Sequence, residues 1–261
     1  MNAAVAAFIV GVMSTAPALS GQDPAEPPQG KPSGKVLAPP AGAIPRKSVD
    51  EKALRATVEE LAACGTRHSL SSWEDPKRGI GCGRDKILAR LTEIARESGG
   101  RLSVTVDRFE ATAPRTREKP ARLENVLAFL PGSDPKLAKT VFLVSGHFDS
   151  MPSSVMDPEA DAPGADDDAS GTAVSIECAR LLSKGSYRAT LLFAAVSGEE
   201  QGLLGGKRLL EYLKEKGYQI GGFLNNDIVG ADFAPGGPHR VRIFSGGGPD
   251  GVDSPSRDLA R

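Results

Sequence analysis

Several features that commonly reveal a protein's partners are scarce in this sequence. Its 32 Lys and Arg residues nearly balance its 33 Asp and Glu residues, so charge gives no reason to expect nucleic acid or an anionic membrane as a partner. Its three cysteines include no Cys-x-x-Cys pair, which argues against a zinc site made of cysteines. Beyond residue 20, no stretch is long and apolar enough to cross a bilayer. What is present is a chain of 261 residues, 39% of them hydrophobic, enough for one α/β domain with a sizeable core.

The amino-terminal region differs from the rest in composition. Residues 1–20 are apolar and end in small side chains, which predicts a secretory signal peptide cleaved near Ser20, although the usual positive charge at its start is missing. The alternative is an uncleaved membrane anchor, for which the apolar run is short. Residues 21–46 are rich in Pro, Gly and Ala, which predicts a disordered linker. We therefore expect a secreted or periplasmic protein whose folded domain is 47–261.

The three cysteines suit an exported protein with at most one disulfide. Cys64 and Cys82 flank a polar loop, and the sequence leaves open whether they pair or are both free. Cys178 falls in a helical pattern with Val174 and Ile176, which favours a small core residue.

Hydrophobic periodicity alternates between strands and helices along the predicted domain. A capping box of Ser48 and Glu51 starts a helix that ends near Gly65, and a polar loop at 66–83 leads to a second helix that stops at Gly99. The remaining elements are helices at 169–183 and 203–216 and strands at 102–106, 126–130, 140–145, 190–196, 222–226 and 240–244. This order predicts an α/β fold, a three-layer sandwich in which a mixed, mainly parallel sheet carries helices on both faces.

Four patches of metal-binding side chains stand out, and three of them directly follow an apolar predicted strand. The patches are His147 with Asp149, then Asp166-Asp167-Asp168, then Glu199-Glu200, and finally Asp227 after two asparagines. The carboxyl ends of adjacent parallel strands meet in the crevice where open α/β sheets bind ligands. The sequence therefore predicts a metal site at that edge of the sheet.

Each patch also has a simpler interpretation. A histidine at a strand end is commonly just a polar terminus, but Asp149 is placed to accept its second N–H and orient it as a ligand. The three aspartates could form a solvated turn with Asp168 as the N-cap of the next helix, or an oxygen-only calcium site, which would not call for His147. The Glu199-Glu200 pair could be an acid-rich helix start, or one carboxylate could bind metal while its neighbour acts as a general base.

Taken together, the four ordered patches resemble the co-catalytic zinc exopeptidases, which include bacterial leucyl aminopeptidases, aminopeptidase Y, glutamate carboxypeptidase and glutaminyl cyclases. The resemblance runs from about Lys47 to the end of the chain, because the Gly65-Thr-Arg67-His68-Ser stretch and the Gly79-Ile80 loop also match. It implies two zinc ions that activate a water molecule, and a peptide substrate whose free amino terminus is held near them. The implied metal ligands are His147 and Asp227 on the first zinc, Asp167 between the two, and Glu200 on the second. Glu199 would be the general base and Asp149 the partner of His147.

The carboxyl-terminal region departs from this family. The second zinc of the family takes a further histidine well downstream, whereas the chain ends at Arg261 and His239 is its only histidine after Asp227. The resemblance therefore implies that the carboxyl-terminal part of the domain is missing and that this chain holds one zinc well and the second poorly. His68, in a polar loop, is expected to be structural or a rim contact.

The sequence thus predicts an exported zinc exopeptidase, an aminopeptidase acting on peptides. One alternative is a glutaminyl cyclase-like enzyme, and another is a non-catalytic, receptor-like binding protein, favoured by the absent histidine and disfavoured by Glu199 and Glu200. A calcium-binding adhesion domain that uses the acidic loop is a weaker alternative. Side-chain preference, amino- versus carboxypeptidase action and oligomeric state stay open.

Overall fold

A five-stranded sheet forms the centre of the domain. The computed structural model describes residues 44–231, 243–245 and 256. The strands are β1 (Ser103–Ala111), β2 (Ala121–Leu130), β3 (Thr140–His147), β4 (Thr190–Val196) and β5 (Gln219–Asn225), in the order β1-β2-β4-β3-β5. β2 pairs antiparallel with β1 and β4, whereas β3 pairs parallel with β4 and β5. Four of these strands therefore share one direction and β2 opposes them, which confirms the predicted mixed, mainly parallel sheet.

Helices cover both faces of this sheet. They are α1 (Glu51–Ala62), α2 (Ile80–Glu97), α3 (Gly171–Leu182) and α4 (Leu204–Glu215). Successive residues of β4 point to opposite faces, as they must in a strand: Phe193 lies in the core under α2 and α3, and Leu192 in the core under α4. Burying side chains of this size contributes about 2 kcal/mol each, so both layers are held by apolar packing. The predicted three-layer sandwich is confirmed.

The start of α1 differs from the prediction. Ser48 lies in a short 3-10 turn, Arg46–Ser48, rather than at the helix boundary. The N-cap is Asp50, whose side chain accepts a hydrogen bond from the Ala53 amide at 3.0 Å. A carboxylate one residue before a helix satisfies a free amide and suits the positive end of the helix dipole, and Asp50 occupies that place.

α2 begins inside the segment predicted to be a loop. Its first turn finds hydrogen-bond partners in the preceding chain: the Ile80 amide donates to Ser71 Oγ at 2.9 Å, and the Gly81 amide to the Ser72 carbonyl at 3.0 Å. A Cβ on Gly81 would lie only 2.1 Å from the carbonyl oxygen of Trp73. This close approach requires glycine, a residue that predicts a loop when it is read in sequence alone.

β1 and β2 are longer than predicted because they pair with each other along nine positions. Their register runs from Ser103 opposite Phe129 to Ala111 opposite Ala121. The added part of β2 contains Arg122 and Glu124, whose charges hid the strand in the sequence. The strand accommodates these charges because Glu124 forms ion pairs with Arg84, Arg108 and Arg122.

Cys64 and Cys82 form a disulfide, which answers the question that the sequence left open. Cys178, in α3, is half-buried and carries a free thiol. The first part of the polar loop that the disulfide closes, 66–69, is buried, with Arg67 and His68 both fully inaccessible to solvent, whereas 74–77 are exposed. The polar side chains of the first part therefore serve internal hydrogen bonds.

Some predictions fall outside the described residues. They are the signal peptide at 1–20, nearly all of the linker at 21–46, most of the last strand at 240–244, and His239. Ile44–Pro235 form one compact unit. Among the described helices, none has the length and apolar character needed to span a membrane.

Candidate metal centre

β3 delivers His147 to the carboxyl end of the sheet. Its imidazole is buried between the neighbouring strand ends, and Nδ1 lies 3.1 Å from the backbone carbonyl of Asp149. A carbonyl only accepts hydrogen bonds, so Nδ1 carries the proton in the neutral ring and the lone pair is on Nε2. Nε2 faces Asp167 Oδ1 at 3.1 Å and Asp227 Oδ1 at 3.8 Å. The ring is thus oriented for ligation through Nε2.

Asp167 and Asp168 are adjacent but have different surroundings. The Asp167 side chain is half-exposed and faces His147. Asp168 is fully buried and accepts hydrogen bonds from the backbone amides of His147, at 3.0 Å, and Gly171, at 2.8 Å. Asp168 therefore stabilises the start of α3 through the Gly171 amide, but the simpler interpretation of the acidic turn was wrong in detail, because Asp168 is buried rather than solvated and the N-cap is Ser170. Asp167 is left free to bind a cation.

β5 brings Asp227 to the same place. The Asn226 amide donates to the Ser145 carbonyl at 2.8 Å, which extends the parallel pairing of β5 with β3 beyond the last paired strand residue. Two residues after Asn226, the Ile228 amide donates to Asp168 Oδ1 at 3.3 Å. Asp227 is held between these two bonds, so its carboxylate lies beside the His147 ring.

The Glu199-Glu200 turn follows β4 and is tied to the histidine through Asp149. Both glutamate amides donate to the fully buried Asp149 carboxylate, each at 3.2 Å, and Ser69 Oγ donates to it at 3.0 Å. These three donors satisfy a charge that would otherwise be costly to bury. Asp149 therefore couples the His147 loop to the glutamate turn. It orients the His147 ring through its backbone carbonyl, 3.1 Å from Nδ1, whereas its carboxylate lies 3.5 Å from that nitrogen.

The acidic groups of the centre are hard to ionise together. Burial raises the pKa of Asp168 to about 7, and burial with the nearby charge of Asp167 raises that of Glu200 to about 7. Burial also raises the pKa of Glu199. The pKa of His147 is lowered by burial but raised further by Asp149, Asp167 and Asp227, so that it lies well above its ordinary value. Each shift is one that a bound cation would relieve or reverse.

The donor set fits zinc. Ligand atoms of His147, Asp167 and Asp227 all lie within 4.8 Å of one another, and one imidazole nitrogen with two carboxylate oxygens suits zinc better than the oxygen-only sites that calcium prefers. His147 is buried, whereas Asp167 and Asp227 are partly exposed, so the centre is open on one side. Glu199 and Glu200 stand next to this group of three, close enough for their pKa values to respond to its charges.

Two contributors to the centre were given no role in it from the sequence. Arg67 Nε donates to the Phe148 carbonyl at 2.6 Å, and Arg115 Nη1, from the loop between β1 and β2, donates to the backbone carbonyl of Glu200 at 2.8 Å. No pattern in a single sequence marks such long-range contacts. His68, in contrast, is structural as expected: Nδ1 accepts from the Leu70 amide and Nε2 lies 3.0 Å from the Val155 carbonyl.

The comparisons with known proteins agree with this geometry. Residues 125–235 match the sequence profile of peptidase family M28. A probable zinc metalloprotease of Pyricularia oryzae is 39% identical over 259 residues, which cover 90% of this chain and 51% of that protein. The chain belongs to peptidase family M28. The resemblance to co-catalytic zinc exopeptidases is thereby confirmed, and the M28 chain spans about half the length of the curated relatives it matches.

Solved structures support the fold of the M28 chain. A glutaminyl cyclase of Bacteroides thetaiotaomicron aligns with a TM-score of 0.57 and 16% identity over 73% of this chain and 65% of that one. A leucine aminopeptidase precursor of the same organism aligns with a TM-score of 0.56 and 16% identity over 71% of this chain and 64% of that one. At such identities the likeness concerns architecture, so these structures do not separate the two activities.

Proposed function

We propose that this chain is the metal-binding part of an exported zinc-dependent exopeptidase that removes amino-terminal residues from peptides. The observation that carries the proposal is a group of three side chains with Glu199 and Glu200 beside it: His147 and Asp227 follow the parallel strands β3 and β5, and Asp167 comes from the turn before α3. The relatives of the chain that are named as probable zinc metalloproteases support the choice of zinc. Export is consistent with the Cys64–Cys82 disulfide, since disulfides persist in oxidising compartments.

The residues divide the chemistry among them. Bound zinc would polarise the scissile carbonyl and lower the pKa of a water molecule. His147, Asp167 and Asp227 would hold the metal, and Glu200 would contribute a further carboxylate beside Asp167. Glu199 takes the proton from the attacking water on its carboxylate and gives it to the leaving amine. Burial raises the pKa of Glu199 towards the range in which a carboxylate both accepts and returns a proton.

Glu199→Gln tests this division of roles. We expect hydrolysis of leucyl-anilide to fall at least about 100-fold, because a general base contributes about 10²–10⁴-fold, while zinc per chain stays at the wild-type value. The measurement is the initial rate of purified protein before and after chelation, with elemental analysis of the same samples. Loss of zinc together with activity would make Glu199 a ligand and reverse the assignment of the pair. A zinc-loaded wild-type chain that never hydrolyses an amino-acyl amide would favour the non-catalytic binding alternative.

A further inference from the structure

Arg67 is a buried cation surrounded by backbone carbonyls. Its side chain is fully inaccessible to solvent, and its donors are directed at four carbonyl oxygens. Nε donates to Phe148 at 2.6 Å, Nη1 to Leu61 at 3.0 Å and to Pro163 at 2.7 Å, and Nη2 to Gly164 at 2.9 Å. A guanidinium is costly to bury unless its donors are satisfied. The buried guanidinium of Arg67 therefore holds the backbone at these four carbonyls in place.

Three of the four carbonyls that Arg67 binds belong to the loops that carry the metal-binding side chains, and the fourth, that of Leu61, lies in α1. Phe148 stands between His147 and Asp149, and its carbonyl is therefore part of the β3 loop. Pro163 and Gly164 lead into the Asp167 turn, and the Gly164 carbonyl also accepts the Ala169 amide at 3.1 Å. A single side chain therefore fixes the spacing between two loops that supply different ligands to one centre.

The backbone around Arg67 reinforces this arrangement. Its amide donates to Ser150 Oγ at 3.0 Å, and its carbonyl accepts the Ser150 amide at 3.2 Å. Ser150 Oγ in turn donates to the Ala162 carbonyl at 2.7 Å. Two residues further on, Ser69 Oγ binds the Asp149 carboxylate. The segment is attached to α2 through the neighbouring Cys64–Cys82 disulfide.

The charge of Arg67 also matches its surroundings. Burial lowers its pKa to about 10, against the opposing effects of Asp149, Asp168 and Asp167, so the guanidinium is positive at neutral pH. A fixed positive charge behind these carboxylates reduces their mutual repulsion before a metal binds. The positive charge of Arg67 and its hydrogen bonds to the loop carbonyls therefore both favour the arrangement of carboxylates that binds a metal.

We propose that Arg67 is the positioning residue of the metal centre: it holds the β3 loop and the Asp167 turn at the separation that zinc ligation requires. The proposal rests on the proposed function, since it concerns the same site. Side chains that orient metal ligands from behind commonly change metal affinity about 10–100-fold when they are removed.

The test is a cobalt titration of the full chain, because Co²⁺ reports both affinity and ligand geometry through its visible absorption. We expect Arg67→Met to weaken Co²⁺ binding about 10–100-fold and to change the spectrum, and Arg67→Lys to recover part of the affinity by restoring the charge. Ser150→Ala is the milder second variant, expected to weaken binding by a smaller factor. If Arg67→Met does not fold, Arg67→Lys and Ser150→Ala decide the question.

Two control variants remove the same kinds of contact far from the centre. Arg101 donates to the carbonyls of Ser98, Gly185 and Ser183 from an exposed position, so Arg101→Met removes the same type of hydrogen bond as Arg67→Met but not a buried charge. Ser98 Oγ donates to the Ala95 carbonyl at 2.7 Å and accepts the Leu102 amide at 3.1 Å, so Ser98→Ala matches Ser150→Ala. Both controls are expected to bind Co²⁺ as the wild type does. Wild-type affinity and spectrum in folded Arg67→Met and Ser150→Ala would overturn the proposal.

Hydrogen exchange separates this proposal from the proposed function. In metal-free protein, amides of 147–150 and 163–171 should exchange faster in Arg67→Met and Ser150→Ala than in the controls. Unchanged exchange would overturn the positioning role whatever the metal data are. A wild-type chain that takes up no Co²⁺ would contradict the proposed function instead, and the exchange rates would still decide whether Arg67 holds the loops.

Discussion

Removing the Cys64–Cys82 disulfide should destabilise the domain by a predictable amount. The bond closes a loop of 18 residues, and the chain entropy that such a closure removes from the unfolded state corresponds to about 3 kcal/mol at 25 °C. Both cysteines are buried, so replacing them with alanine exposes no new surface. We expect the double variant Cys64→Ala, Cys82→Ala to lose about 3 kcal/mol of unfolding free energy.

Urea unfolding measures this loss directly. Trp73 is the only tryptophan and lies inside the closed loop, where it is 8% exposed, so its fluorescence reports on this region. With a urea slope of about 2 kcal/mol/M, the midpoint should fall by about 1.5 M. Reduction of the wild type should produce a similar shift, whereas Cys178→Ala, which leaves the disulfide intact, should shift the midpoint far less. A double variant within about 0.5 kcal/mol of the wild type would refute the reasoning.

Four further substitutions test the packing, the charge network and the support of the centre. A Cβ on Gly146 would lie 2.4 Å from the Gly171 carbonyl carbon and from the Thr172 nitrogen, so Gly146→Ala should cost at least about 2 kcal/mol in thermal unfolding. Gly206→Ala, inside α4, adds a Cβ that meets nothing within 4 Å and should stabilise by up to about 1 kcal/mol. Glu124 is fully buried and bound by three arginines, which hold its pKa below the ordinary value against the opposing effect of burial. Glu124→Gln should therefore cost about 2 kcal/mol at pH 7, and the difference from the wild type should disappear as the pH falls through that lowered pKa, since the stabilisation requires the ionised form; a difference that persists in acid would contradict this. Asp168→Asn should cost about 1–3 kcal/mol in metal-free protein, because the single oxygen of Asn cannot accept all three backbone amides, of His147, Gly171 and Ile228, that the two carboxylate oxygens share. An unchanged melting temperature would show that those bonds contribute nothing.

The parts of the fold that follow from local periodicity could be predicted from the sequence. β4 was predicted as 190–196, the span it has in the structure, because a central parallel strand is apolar on both faces. α3 and α4 likewise follow from their apolar stripes. The start of α2 and the added part of β2 could not be predicted in this way, because tertiary hydrogen bonds and an arginine cluster stabilise residues whose local preference is for loops.

The candidate site likewise has features that could be predicted from the sequence and features that could not. Strand ends are local features, so a metal site formed by the four patches could be predicted once a parallel sheet was inferred. The choice of Asp167 among the three aspartates rested on the resemblance to the zinc exopeptidases. The support given by Arg67 depends on loops 81 and 96 residues away in sequence, and in the sequence Arg67 is one arginine in a polar loop. The catalytic role of Glu199 and the ligand role of Glu200 stay predictions, which the substitutions above address.

The central claim is that His147, Asp167 and Asp227 form a zinc site, and its most direct test is zinc per chain in the wild type and in two variants. Elemental analysis of purified protein of confirmed intact mass should find at least one zinc in the wild type and a loss of that zinc in His147→Ala. Asp166→Asn is the matched control: its retained oxygen can still accept the Gly230 amide, which lies 2.8 Å from Asp166 Oδ1, so its zinc content should equal that of the wild type. A folded wild-type chain without zinc, or a His147→Ala variant that keeps it, would contradict the account.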